Sequence, residues 1–147
     1  MRDDVDRLFR DLGGALRTEL TLVYALRDAE SAKRYAIESN QIERFNDLIR
    51  IEEVEIGRLQ TIVFDIGSAR DSLIRVLGIE HHRFRDFIDG TSDESVAECR
   101  LLMAKIREAF SSLSEEREKT IEMMSRSQDE LGKSIREIQR IISLSID

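Results

Sequence analysis

A chain of 147 residues suffices for one domain that buries roughly 68–70% of its unfolded surface. Charged side chains make up 36% and aromatics 5%, with no proline or tryptophan, which suits long charged helices and excludes a turn-punctuated β protein. A net charge of −7 with no basic patch to meet phosphates argues against a nucleic-acid binder, and the periodicity of the 41% hydrophobic residues argues against disorder.

The first predicted helix runs over residues 3–38. Its apolar stripe passes through Val5, Phe9, Leu12, Leu16, Val23, Leu26 and Ile37 at steps of three and four, with Glu19 on the same line. Asp3, Asp4 and Asp6 favour the positive end of the helix dipole. Glu30 and Arg34, four apart, form an acid-then-base surface pair. Ser39-Asn40 ends the helix, and Asn40 with Glu43 reads as a capping box for the next.

The second helix covers residues 41–77, turning Ile42, Phe45, Leu48, Ile49, Ile56, Leu59, Ile62, Val63, Ile66, Leu73 and Leu77 inward, and Gly78 stops it. A hairpin turning at Asn40 brings residues whose numbers sum to about 79 to one level. That arithmetic sets Arg27 near Glu52, Arg70 near Phe9 and Asp6, and Gly13-Gly14 level with Gly67. After Gly78, a connector with a short amphipathic helix packs Phe84, Phe87 and Ile88 over the bundle end. His81 and His82 are adjacent and so diverge by about 100° on a helix, which does not suit metal ligation.

The third long helix opens with Thr91 or Ser95 as cap. Its first apolar set is Val96, Cys99, Met103, Ile106, Phe110 and Leu113; its second begins at Leu131. Lengths then decide the layout. At 1.5 Å per residue the first two helices span about 55 Å each and the third about 77 Å, so it overruns the Asn40 turn by roughly 20 Å. The expected fold is all-α: an antiparallel bundle of three long helices (residues 3–38, 41–77 and 95–130), a short connector helix, and a C-terminal helical extension over residues 131–147.

Leu131, Ile135, Ile138, Ile141, Ile142, Leu144 and Ile146 on that extension, with Met123 and Met124 before it, form an apolar stripe that calls for a partner. It can fold back on its own bundle, pair with a second copy as a coiled-coil structural adaptor, or receive an amphipathic helix from another protein. A membrane-surface role is weaker, because Lys133, Arg136 and Arg140 are set against Glu137 and Asp147. No secretory h-region and no run of about 18 apolar residues is visible, and the single Cys99 forms no internal disulfide, so a cytoplasmic location is expected. No Glu-x-x-His pair, glycine-rich phosphate loop or nucleophile elbow appears, so neither a cofactor nor catalysis is expected.

The stretches LTLVYALRDAESAKRYAIESNQIERFNDLIRIEEVEIGRLQTI and ARDSLIRVLG resemble the FlgN-type flagellar secretion chaperones in their pattern of a leucine-rich helix, one charged turn and a second helix ending R-x-x-L…L-G. Glu52, Glu53 and Arg70 are the charged residues that match. The resemblance implies a small acidic helical chaperone that guards hook–filament junction proteins before type III export. It also implies that Leu131, Ile135, Ile138 and Ile142 bind the C-terminal helices of those proteins. Members often present a C-terminal aromatic when docking at the export apparatus; here no aromatic follows Phe110, and that step has no matching residue.

Overall fold

The stripe of the first helix is the most completely used part of the chain. In the computed structural model, which describes residues 3–146, α1 (Asp3–Glu38) is the middle rod. Along it pack α2 (Ile42–Leu77) and α4 (Glu94–Ile146), and no strand occurs among the described residues. A 3-10 turn (His81–Arg83) and a short α3 (Phe84–Gly90) join α2 to α4. Cross-links set the directions. Ser95 Oγ lies 3.5 Å from Asp6, Cys99 Sγ donates to the Phe9 carbonyl at 3.3 Å, and Arg34 donates to the Glu116 carbonyl at 2.7 Å. Thus α4 runs the same way as α1, while α2 returns through a short turn against both.

Val5, Phe9, Leu12 and Leu16 meet Leu73, Ile74, Val96, Cys99, Leu102 and Ile106 in one core cluster. Phe84 and Ile88 of α3 close its end, with Phe87 stacked on Phe9 at 6.1 Å. Arg100 Nη1 donates to the Ile88 carbonyl at 2.6 Å and the Thr91 carbonyl at 3.2 Å, satisfying groups that a helix end leaves orphaned. Further along, Val23 and Leu26 pack on Ala109 and Leu113.

Several expectations change, each for a physical reason. Asn40 does not cap α2. It adopts φ 56° as the left-handed residue ending α1, its N–H on the Ile37 carbonyl and that of Gln41 on Ala36, a Schellman closure. Gly78 (φ 67°) ends α2 in the same way. Neither Thr91 nor Ser95 caps α4: Thr91 Oγ1 bonds back to the Phe87 carbonyl, and Asp93 accepts the first helical bond, from Ala97.

The hairpin level is also shifted. Lys33, not Arg27, meets Glu52, while Arg27 lies over the Tyr24 ring. Side chains tilt toward their own helix N-terminus, so facing residues of an antiparallel pair meet only when both numbers exceed the backbone level. The same tilt takes Arg70 away from Phe9 and Asp6 to the neighbourhood of Leu16 and Glu19. Gly13 packs on Cys99 of α4 rather than on Gly67, so no glycine-to-glycine approach exists.

Ile42, Val63 and Phe110 are exposed instead of inward. Because α2 rests on α1 alone for most of its length, only a narrow stripe of it is covered.

A Cβ at Gly57 meets nothing within 4 Å. Gly57→Ala is therefore expected to gain up to about 1 kcal/mol and raise Tm by about 2–4 °C. Gly78→Ala, at φ +67°, should instead lose about 1 kcal/mol. Paired thermal melts check both signs.

Candidate functional site

Past the bundle, α4 continues alone. Among the described residues Thr120 is its last buried one, at the level where Arg34 near the end of α1 donates to it at 3.2 Å. The exposed length therefore starts at Ile121, ten residues before the boundary expected at Leu131. From there to Ile146 the helix runs unbroken through Gly132, about 40 Å of rod. The expected site residues lie on it: Met123 is half-buried, Met124 is exposed, and Leu131, Ile135, Ile138, Ile141 and Ile142 are 47–62% exposed. Leu144 is exposed as well, while the side chain of Ile146 and all of Asp147 lie outside the described residues. None of these apolar side chains joins the core clusters.

Ile121, Met124, Gln128, Leu131, Ile135, Ile138 and Ile142 follow one another at alternating steps of three and four, the spacing of a coiled-coil seam. The residues directly flanking it include Ser125, Ser127, Gly132, Ser134 and Gln139, small or uncharged. Every charge from Glu122 to Arg140 sits on the outer face, where Glu122–Arg126 and Glu137–Arg140 pair along the helix. Chemically this surface can do one thing well: lay an apolar strip against another helix and exclude water.

A feature invisible to the hairpin arithmetic stands at the root of this rod. Glu30 and Lys33 continue the buried stripe of α1, and Lys33 Nζ bridges Glu30 at 2.7 Å and Glu52 at 2.8 Å. From α4, Arg117 reaches the same two carboxylates, at 3.4 Å and 3.1 Å. Arg34, expected to pair with Glu30 on the surface, instead pairs with Glu116. Burial pushes the Glu30 carboxyl up, but the hydrogen bonds and charge around it, led by Lys33, hold it below the usual range. Of the acids that carry the family resemblance, Glu52 is thus structural and Glu53 is exposed. The signal available in the sequence was the unbroken spacing Val23, Leu26, Glu30, Lys33, Ile37.

At the other end, α2 and α4 leave an open cavity of about 640 Å³ over α1. Leu16, Ile66, Phe84, Ile88, Met103 and Ile106 make its apolar walls, with Arg70, Arg85, Arg100 and Arg107 around them. Glu19 also lines it, buried, with its carboxyl raised by desolvation. His81 and His82 stand at the margin and turn to different acids, Asp71 and Glu80. Among the described residues no group of three His, Cys, Asp or Glu could hold a metal ion. The Cys99 thiol is buried and pushed up to about 11, first by desolvation and then by Glu98.

Removing Lys33 leaves the buried carboxylates of Glu30 and Glu52 with the half-exposed Arg117 as their shared cation, so Lys33→Met is expected to cost about 3 kcal/mol, read from urea unfolding. The acids Glu30 and Glu19 act with opposite sign. Glu30, lowered in the fold, adds stability above the ordinary carboxylate pKa of about 4.3, and this is lost as pH falls through its lowered value. Glu19, raised, costs stability once ionised, a penalty absent at low pH. Glu19→Gln should therefore raise Tm near pH 7 and leave it unchanged below about pH 4. No protein-family model, curated protein or solved structure matches the chain.

Proposed function

We propose that the chain is a helix-capturing chaperone of the flagellar type III export kind, which takes the C-terminal amphipathic helices of hook–filament junction proteins on the α4 extension and keeps them unassembled before secretion. The observation that carries this reading is the seam of Leu131, Ile135, Ile138 and Ile142, exposed among the described residues along a continuous helix. An amphipathic partner laid on such a seam buries apolar surface on both sides, each aliphatic side chain contributing about 1.5–3 kcal/mol when fully buried. Several of them support micromolar binding after ordering costs.

The bundle serves this role as a handle. It roots the rod and carries most of the negative charge, which keeps the chaperone soluble while its greasy strip is open. The three long helices act as one antiparallel bundle in this reading, with α4 as its working member.

Ile135→Asp and Ile138→Asp each place a charge in the middle of the seam without touching the bundle core. Isothermal titration against peptides spanning the junction proteins' C-terminal helices should show at least about tenfold weaker binding for either variant. Undiminished affinity would remove the extension from the mechanism.

A further inference from the structure

The seam has an orientation as well as a composition. Eighteen residues make five whole turns of an α-helix, so Leu131 points the same way as Leu113, and Ile138 the same way as Thr120. Two such intervals align Ile135 with Cys99 and Ile142 with Ile106. Cys99, Ile106, Leu113 and Thr120 are all buried on the side of α4 that rests on its own bundle. The exposed seam therefore looks into the space lying end-on to α1 and α2, just beyond the Asn40 turn.

Charge is partitioned along the same axis. Between Ile121 and Leu144 there are four acids (Glu122, Asp129, Glu130, Glu137) and four bases (Arg126, Lys133, Arg136, Arg140), so this stretch is neutral. Nearly all of the net −7 charge thus belongs to the bundle. A like extension meets no net repulsion here, and the seam's own flanks carry no charge to oppose it. Two bundles side by side do repel.

Resting on the reading of the extension as the docking element, we infer that its resting occupant is the extension of a second copy, laid antiparallel. A parallel copy would have to bring its α1 and α2 into the volume already filled by this chain's, and would set two acidic bundles against each other. The antiparallel copy avoids both conflicts. Its rod fills the space end-on to α1 and α2, its bundle lies beyond the far end of this chain's rod, and the seams of the two rods cover one another. Capture of a foreign helix is then an exchange, in which the cargo displaces the twin.

The full-length protein tests this by light scattering and small-angle X-ray scattering across a concentration series. The mass should double as concentration rises, with a maximum dimension of about 125 Å for two α4 helices overlapping over roughly 22 residues. Ile138→Asp should abolish the doubling with unchanged helicity by circular dichroism. A junction-protein helix added to wild type should return the mass to one chain plus one peptide. A dimer only about 80 Å long, the length of one α4, would mean parallel rods and overturn the inference. A monomer at every concentration, or a dimer indifferent to Ile138→Asp, would overturn it equally. Peptide binding by such a monomer would leave the chaperone reading standing. An elongated dimer that ignores every junction-protein helix would retain the pairing and discard the cargo.

Discussion

Four charged side chains decide where along their lengths the three long helices meet. Glu30 and Lys33 from α1, Glu52 from α2 and Arg117 from α4 come together at the end of the bundle nearest the Asn40 turn. Apolar stripes can slide past one another by a turn at modest cost. A buried carboxylate–ammonium–carboxylate arrangement cannot, because any slip strands an ion away from water. The cluster thereby fixes axial level, and axial level fixes how much of α4 is left over. The extension is exposed because the register is held, and the register is held by charge rather than by apolar packing alone.

A helix that stands alone for some 26 residues is usually marginal in water, since forming the first turn is the costly step. Here that step is already taken inside the bundle, where Cys99, Ile106 and Leu113 are buried against their neighbours. Each further residue only adds one hydrogen bond to a helix that already exists. The pairs Glu122–Arg126 and Glu137–Arg140 support it from the outer face. Bundle and extension are in this sense one cooperative object with two kinds of surface.

Much of this was legible in the residues. The α1 line Val5, Phe9, Leu12, Leu16, Glu19, Val23, Leu26 is buried throughout, as its spacing requires, and α3 packs where Phe84, Phe87 and Ile88 suggested. Helix lengths alone gave an overrun, but set its start at Leu131, ten residues beyond Ile121, where burial ends after Thr120. What escaped was whatever depends on a second element arriving. Asn40 is competent both to begin a helix and to end one, and only the path of the chain selects the left-handed ending. Glu30 with Arg34 has the spacing of a surface pair; the α1 stripe places Glu30 inward, but nothing local says that Arg117 will reach it from 87 residues away. The level of the hairpin failed for a geometric reason, the tilt of side chains along each helix, which a sum of residue numbers ignores. The open cavity near α3 likewise reflects how far α2 and α4 stand apart, a distance no periodicity encodes.

Gly132 lies within the exposed rod, one residue beyond Leu131, and its position has a thermal meaning. Glycine weakens a helix interior by about 1 kcal/mol, and among the described residues only Arg136, of the same helix, lies where its side chain would be. The extension is thereby divided into a proximal part rooted in the bundle and a distal part that can unwind by itself. Backbone amides past the glycine should trade their protons for solvent deuterium ahead of those before it. Anything that lies across both parts would erase that step.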